Sequence, residues 1–259
     1  MAKANKPTIS GFFPFLNDWG TIGSLVTALD KVLQEVSSNY EILIIDDGSD
    51  ERSQEILLML RKKFPKLKLI THAKNRGYGG AIKSGIENSK FEWIFYTDGD
   101  AQYDPRDLRL LVEHKKASTD IINGYKIKRN DPWFRKLTGK TYHLFVKVLF
   151  NVPIRDTDCD FRLMKKSIFQ TVKLESNSGL ICAEMIRKIA DSGFKFQEVP
   201  VNHYWRTSGK SQFFNIKRVS KVVFGLLILW YKLVIQKKHL QYANIKNTSS
   251  GSKRATTSR

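Results

Sequence analysis

The chain has 259 residues, of which 41% are apolar, so it is long and apolar enough for one large or two small domains with a full core. Its two cysteines, Cys159 and Cys182, belong to no paired metal-binding motif, which argues against a disulfide framework or a zinc site. The net charge is +19, and the last 61 residues contribute +12 of it because they contain twelve Lys or Arg residues and no Asp or Glu. Such a basic block indicates an anionic partner: a nucleic acid, an anionic membrane surface or a phosphorylated substrate.

The first half of the chain alternates predicted strands and helices. Short β-favouring apolar runs predict strands at 9–13, 41–45, 67–71 and 91–96. Apolar residues at helical spacing predict helices from Ile22 to Val36, from Ile56 to Leu60, and over 81–88. This alternation is typical of an α/β fold with a mostly parallel, Rossmann-like sheet and helices on both faces.

Polar residues directly follow three of the predicted strands. Asn17 and Asp18 follow the first strand, Asp46 and Asp47 follow the second, and the segment 97–100 follows the fourth. The carboxyl ends of parallel strands lie at one edge of a sheet, where ligands bind. We therefore expect these three clusters to converge on one crevice.

The fourth strand leads into the sequence Thr97-Asp98-Gly99-Asp100. Residues at i and i+2 of an extended chain point to the same side, so Asp98 and Asp100 can face one point in space. Two carboxylates that close require a cation, and their hard oxygens suit Mg²⁺ or Mn²⁺, with Gln102 able to add another oxygen. A solvated Asp-Gly turn explains this motif equally well when it is taken alone.

The loop from Asn75 to Gly80 contains three glycines before a predicted helix. It does not match the G-x-G-x-x-G pattern of dinucleotide-binding proteins, and it follows the third strand rather than the first. A dehydrogenase is therefore weakly supported. The glycines fit close backbone packing or positive φ at the start of a helix.

Four motifs in order resemble those of inverting family-two glycosyltransferases with the A-type fold. They are PFLND (14–18), IIDDGSDE (44–51), NRGYGGA (75–81) and YTDGDAQYDP (96–105). Within that family the sequence is most similar to the polyprenyl-phosphate glycosyltransferases, such as dolichyl-phosphate mannose and glucose synthases. The resemblance covers roughly residues 8–215.

The resemblance implies a nucleotide-sugar site and a divalent metal. The implied donor-binding residues are Pro14, Asn17, Asp18, Asp46, Asp47, Gly48, Asn75, Gly77, Asp98 and Gly99. Asp98, Asp100 and Gln102 would hold Mg²⁺ or Mn²⁺ on the sugar-nucleotide diphosphate, and Asp100 would be catalytic. Leu16, Asp18 and Gly99 replace the usual Tyr, Glu and Ala, which leaves the base and the donor sugar open.

The second half carries the acceptor side. It contains a predicted strand at 120–123, a predicted helix at 133–150, and the segment from Asp156 to Arg162. This segment resembles the family's Asp-Thr-x-Cys-Gly-Phe-Arg/Lys, with Asp160 where glycine is usual. The resemblance implies a catalytic Asp156 near the donor sugar or the attacking oxygen. An Arg-paired structural loop is the alternative, and which of the three aspartates matters stays open.

A predicted helix at 180–189 and a final strand at 194–201 precede a segment, 202–211, that resembles the family's H-Y-x-R-x-x-G-x-S. The cations expected to seat the acceptor phosphate are Lys126, Arg129, Arg206 and Lys210, with Arg206 also catalytic. A lipid phosphate is already ionised, so its transfer needs cations rather than a general base. A sugar hydroxyl would need a carboxylate base such as Asp156.

The apolar run within 216–235 is interrupted by Lys221 and Lys232 and falls short of the roughly 20 residues that span a bilayer. We expect an amphipathic helix at the membrane interface, with packing onto the catalytic domain as the alternative. The expected organisation is a catalytic domain (1–212), this helix (213–238) and a disordered basic tail (239–259). The N-terminus lacks the apolar core of a secretion signal, so no secretion signal is expected. The cysteine content is that expected of a reducing cytosolic setting.

The expected activity is transfer of a hexose, with inversion, from a UDP- or GDP-hexose to a polyprenyl phosphate such as dolichyl or undecaprenyl phosphate. The expected location is the cytoplasmic face of a membrane, with peripheral attachment. A glycosyltransferase acting on a sugar hydroxyl of a glycan or glycolipid is the alternative within the class. A basic nucleic-acid-binding protein is the alternative outside it, but the sequence has no recognisable nucleic-acid module and its acidic clusters would repel phosphate, so no nucleic-acid partner is expected.

Overall fold

The computed structural model describes residues 6–127, 144–205 and 216–240. Seven strands form one sheet: β1 (Thr8–Phe15), β2 (Asn39–Asp46), β3 (Leu67–Thr71), β4 (Trp93–Thr97), β5 (Ile121–Lys126), β6 (Phe161–Lys165) and β7 (Phe196–Val201). Their order across the sheet is β3-β2-β1-β4-β6-β5-β7. All pairs are parallel except those of β6, which runs antiparallel to β4 and to β5.

Helices cover both faces of the sheet, and each face has its own hydrophobic core. The helices are α1 (Trp19–Val36), α2 (Glu51–Lys63), α3 (Tyr78–Asn88), α4 (Leu108–Glu113), α5 (144–150), α6 (Ile168–Thr171), α7 (Ile181–Asp191) and α8 (Ile216–Trp230). Helices α1, α2 and α4 contribute to one core, and α3, α5, α7 and α8 contribute to the other. The predicted α/β architecture, a mostly parallel sheet between helices, is confirmed.

Two strands differ from the prediction. Strand β1 does not stop before Pro14 but continues to Phe15, with Pro14 opposite Ile45 in register. Strand β6 was not predicted at all, because its five residues follow three aspartates and include Arg162 and Lys165. Its insertion between β4 and β5 joins the two halves of the sheet.

Helix α3 begins at Tyr78, three residues earlier than predicted, so Gly79 and Gly80 lie inside its first turn. A Cβ atom on Gly79 would lie 2.4 Å from the carbonyl oxygen of Ser176, and one on Gly77 would lie 2.4 Å from that of Asn177. Gly77 also has a φ of +80°. The glycines are therefore required by close approach of the 176–178 backbone and by a left-handed residue at the helix start.

Helix α8 continues into a π-helical turn, Tyr231–Ile235, and one side of this element packs on the domain. Leu226 and Leu233 are buried in the core shared with α7, whereas Phe224 and Ile228 on another face are exposed. The structure thus combines the two alternatives considered for this segment: it packs on the domain and still presents an apolar face. Among the described residues, no helix is both long enough and apolar enough to cross a membrane.

Parts of two expected elements lie outside the described residues. Of the helix predicted at 133–150, only residues 144–150 are described. Of the tail predicted at 239–259, only His239 and Leu240 are described, and the His239 Nε2 atom lies 2.7 Å from an oxygen of Asp191.

Two glycine substitutions test the packing of α3 on the sheet. A Cβ atom on Gly85 would lie 2.4 Å from the buried ring of Phe12, whereas one on Gly23 in α1 would meet Leu60 at an ordinary 3.8 Å. We expect Gly85→Ala to lower the free energy of unfolding by about 1–3 kcal/mol through overpacking. Gly23→Ala should raise it by about 0.5–1 kcal/mol through helix propensity. Urea unfolding measures both, and equal stabilisation by the two variants would contradict the packing described.

Candidate active site

The site lies at the carboxyl ends of β1 and β4, where the strand order reverses direction. A Cβ atom on Gly99, just after β4, would lie 3.3 Å from the carbonyl oxygen of Pro14 and 3.9 Å from a carboxylate oxygen of Asp18. The Thr21 hydroxyl in α1 donates a hydrogen bond to the Gly99 carbonyl. The residues that follow β1 and those that follow β4 are therefore in close contact.

The two carboxylates of the Asp98-Gly99-Asp100 motif lie at this edge in different environments. Asp98 is half-buried and accepts a hydrogen bond of 2.8 Å from the Tyr78 hydroxyl. Asp100 is only 4% exposed and accepts a bond of 3.0 Å from the backbone N–H of Gln102. Ala101, which follows Asp100, has a φ of +61°, a left-handed turn that redirects the chain after the motif.

The chemistry of this donor set fits a hard divalent cation. No group of three or more His, Cys, Asp or Glu side chains suited to hold a metal occurs within the described part of the chain. Mg²⁺ commonly binds to only one or two carboxylates, with substrate phosphates and water completing its shell. Asp98 and Asp100 therefore fit a metal that arrives with a nucleoside diphosphate rather than one held by the protein alone.

The segment after β7 lies against this motif. The Tyr204 N–H donates to the carbonyl oxygen of Gln102 at 2.9 Å, and the rings of Tyr103 and His203 pack edge to face at 5.3 Å. The side-chain amide of Gln102 donates to the Tyr204 carbonyl at 3.4 Å. The predicted phosphate-binding residues of this region and the preceding loop, Arg129, Arg206 and Lys210, lie outside the described residues.

Asp47 anchors the loop that precedes α3. Its carboxylate accepts hydrogen bonds of 2.8 Å from the backbone N–H groups of Arg76 and Gly77. The imidazole of His72 lies between Asp47 and Ser84, with its Nδ1 atom 2.6 Å from Asp47 Oδ1 and its Nε2 atom 2.8 Å from the Ser84 hydroxyl. All three side chains are buried. Asp47 thus positions Gly77, whose N–H also donates to the Asn75 side chain at 3.0 Å. The part played by His72 was not predicted from the sequence.

The remaining predicted donor residues lie around the end of β2. Asp46 is fully buried and accepts from the Ser49 N–H at 2.9 Å, while its Oδ2 atom has no hydrogen-bond partner among the described residues. Gly48 has a φ of +83°, and Asn17, with a φ of +58°, accepts from the Asp50 N–H at 2.9 Å. A buried carboxylate oxygen without a donor is costly, so Asp46 is suited to accept one from a ligand.

A fully buried arginine joins the two halves of the site. Arg162 in β6 is 0% exposed and donates to the Asn123 side chain at 2.7 Å, to the Tyr96 hydroxyl at 2.5 Å and to the Thr157 carbonyl. These acceptors belong to β5, to β4 and to the loop before β6. This role was not predicted, because the acceptors of Arg162 are distant from it in sequence.

Asp156 and Lys126 form a second, mostly buried polar group. The Lys126 ammonium lies 3.7 Å from Asp156 Oδ2 and donates to the Asp158 carbonyl at 2.9 Å. The other oxygen of Asp156 accepts from the Asp158 N–H at 3.2 Å. Burial raises the pKa of Asp158 to about 6, with Asp156 and Asp160 adding to the effect and Lys126 opposing it. Lys126 therefore holds this loop in addition to any contact with a phosphate.

Residues 12–173 match the model of the family described as Glycosyl transferase family 2. The chain belongs to this family. It is 28% identical over 219 residues to an undecaprenyl-phosphate 4-deoxy-4-formamido-L-arabinose transferase of Aeromonas hydrophila, a match that covers 82% of this chain and 65% of the relative. It is 25% identical over 224 residues to a dodecaprenyl-phosphate galacturonate synthase of Rhizobium johnstonii, covering 84% and 65%. The chain thus spans somewhat less than two thirds of the length of these relatives.

Solved structures share the fold at low sequence identity. A glucosyl-3-phosphoglycerate synthase of Mycobacterium tuberculosis, in complex with Mn²⁺, UDP and glucosyl-3-phosphoglycerate, superposes with a TM-score of 0.67 at 12% identity, covering 87% of this chain and 79% of that one. A mannosyl-3-phosphoglycerate synthase of Rubrobacter xylanophilus gives 0.64 at 12% identity, covering 91% and 76%. The architecture is that of the A-type glycosyltransferases.

The metal assignment predicts a specific loss of cation binding. We expect Asp100→Asn to weaken binding of Mn²⁺ in the presence of UDP by about 100-fold or more, because a metal–carboxylate contact is worth several kcal/mol. Electron paramagnetic resonance titration of free Mn²⁺ measures the affinity. Asp104→Asn is the matched control, since Asp104 lies in the same loop but pairs with Arg106 at 2.6 Å. Unchanged Mn²⁺ affinity in Asp100→Asn would refute the assignment.

Proposed function

We propose that the protein transfers a hexose, with inversion, from a nucleoside diphosphate hexose to a polyprenyl phosphate, using Mg²⁺ or Mn²⁺. The observation that carries the proposal is the similarity to polyprenyl-phosphate sugar transferases over 82–85% of this chain. Their sugars differ, and the base and hexose used by this chain are not fixed by the similarity. The donor class proposed is a UDP- or GDP-hexose.

The donor side of the reaction would use the carboxylates at the end of β4. Asp98, Asp100 and Gln102 would hold the divalent cation, which when bound neutralises charge on the departing nucleoside diphosphate. Asp46, with its buried unsatisfied oxygen, would accept a donor group of the nucleoside, and Pro14, Asn17 and Asp18 would line the same pocket. Asp47 would fix the Asn75–Gly77 loop beside it.

The acceptor side favours a phosphate over a hydroxyl. A hydroxyl acceptor needs a general base, and Asp156, the carboxylate proposed for that role, already contacts Lys126 and the Asp158 N–H. A phosphate monoester is ionised at neutral pH and needs only cations to seat it. Lys126, Arg129, Arg206 and Lys210 are proposed for this task, with Asp156 holding Lys126 in place. Asp156 and Arg206 would lie beside the transferred sugar.

We also propose peripheral attachment to the cytoplasmic face of a membrane, where the lipid acceptor would be presented. Helices α5 and α8 expose apolar side chains that include Val148, 72% exposed, and Phe224, 66% exposed. An interfacial helix buries such side chains at the boundary between headgroups and acyl chains. The basic residues of the C-terminal quarter would add about 1 kcal/mol each near an anionic surface.

A donor and acceptor panel tests the reaction. Purified protein with Mn²⁺ or Mg²⁺ is given UDP- and GDP-hexoses with and without a short polyprenyl phosphate, and released nucleotide and lipid-linked sugar are measured. We expect release to require both metal and lipid phosphate and the product to be labile to mild acid. Transfer to a sugar hydroxyl with no dependence on lipid phosphate would contradict the proposed acceptor.

The membrane contact is tested by a pair of double variants. Phe224→Ser with Ile228→Ser removes exposed apolar surface from α8 and should weaken binding to vesicles containing anionic lipid by about tenfold or more, given roughly 25 cal/mol per Å² of buried apolar area. Leu58→Ser with Met59→Ser removes comparable exposed surface from α2 on the other face of the sheet and should leave binding unchanged. Co-sedimentation measures both, and equal effects would refute the assignment.

A further inference from the structure

Asp160 lies next to Asp98 across two antiparallel strands. In the ladder between β4 and β6, Thr97 is opposite Phe161 and Tyr96 is opposite Arg162. Asp98 and Asp160 are the first residues beyond the end of this ladder, one on each strand. Directly opposed residues of an antiparallel pair have Cα atoms about 5 Å apart, and like charges placed there repel each other.

Neighbouring hydroxyl groups hold the two carboxylates in place. Tyr96 donates to Asp160 Oδ1 at 3.2 Å, as does the Cys182 thiol at 3.2 Å, and Tyr78 donates to Asp98 at 2.8 Å. Burial raises the pKa of both tyrosines well above the usual value, and the charges of Asp98 and Asp160 raise it further, so both hydroxyls keep their protons. Tyr78 thus holds Asp98, and Tyr96 and Cys182 hold Asp160.

Asp160 is not needed to satisfy the hydrogen-bond donors of Arg162. The nitrogens of Arg162 donate to Asn123, Tyr96 and Thr157, whereas the nearest oxygen of Asp160 is 3.7 Å away, beyond hydrogen-bond distance. Asp160 keeps 14% of its side chain exposed. Asp160 therefore places a partly exposed carboxylate beside Asp98, at the position where the resembling family segment usually has glycine.

We infer that Asp160 determines donor-sugar specificity, favouring hexoses that are neutral or carry an ammonium group over hexuronates. The inference rests on the proposed function. With the diphosphate held at Asp98 and Asp100, a sugar on the β6 side of β4 would lie beside Asp160, because β6 is the next strand after β4 in the sheet. A hexuronate would bring a second carboxylate close to Asp160 in a half-buried crevice, where like charges repel more strongly than in water. Because the Rhizobium relative is a dodecaprenyl-phosphate galacturonate synthase, uronate donors are the sugars to compare with neutral hexoses.

Two pairs of donors that differ only at C6 test this inference. They are UDP-glucose with UDP-glucuronate, and UDP-galactose with UDP-galacturonate, and the affinity of each is measured by calorimetry with Mn²⁺. We expect the protein to bind the neutral member of a pair at least about tenfold more tightly, and Asp160→Asn to reduce that ratio by about tenfold. The asparagine keeps an acceptor for Tyr96 and Cys182 but removes the charge.

Two further variants serve as controls. Asp160→Glu keeps the charge and should keep the preference for neutral sugars. Asp30 also accepts a hydrogen bond from a tyrosine, Tyr40 at 2.9 Å, but it lies in the middle of α1. Asp30→Asn should therefore leave the ratio of neutral-sugar to uronate affinity unchanged.

The outcomes separate the inference from the function on which it rests. An unchanged ratio in folded Asp160→Asn, or a wild-type preference for uronates, would overturn the inference and leave the proposed transfer intact. Failure of every UDP- and GDP-sugar to bind would overturn the proposed function and the inference together.

Discussion

The structure depends on the pairing of β6 with β4 and β5 around the buried side chain of Arg162. A guanidinium without solvent is very unfavourable unless its donors are satisfied, and here Asn123, Tyr96 and Thr157 satisfy them. These partners come from three separate segments, so the arginine can be accommodated only when all three are in place. This requirement couples the donor half of the sheet to the half that carries Asp156 and Asp160.

The same arrangement accounts for the concentration of carboxylates at one edge of the sheet. Parallel strands bring the ends of β1, β2 and β4 together, and antiparallel β6 starts at the edge where they end. Several of these carboxylates accept hydrogen bonds from backbone N–H, hydroxyl or thiol groups, as Asp47 does from the 76–77 backbone and Asp160 from Tyr96. Such donors hold negative charge in place without neutralising it, which leaves the edge suited to a divalent cation and its phosphates.

Much of the fold and part of the site could be predicted from the sequence. Strand and helix periodicity, and the polar residues that follow strand ends, are visible within a short stretch of chain. The close approach of Gly99 to Pro14 and Asp18 is an example. Strand β6 could not be predicted, since its charged residues are satisfied only by partners distant in sequence. The same holds for His72, which acts between Asp47 and Ser84, residues 25 and 12 positions away.

The central claim is that the carboxylates after β4 hold a divalent cation on a nucleoside diphosphate. A crystal structure of the full chain grown with Mn²⁺ and UDP, with anomalous scattering recorded for manganese, tests it most directly. The account predicts one manganese peak between the diphosphate and the Asp98–Asp100 motif, with the nucleoside beside Asp46. A peak at another site, or UDP bound away from the ends of β1 and β4, would contradict it.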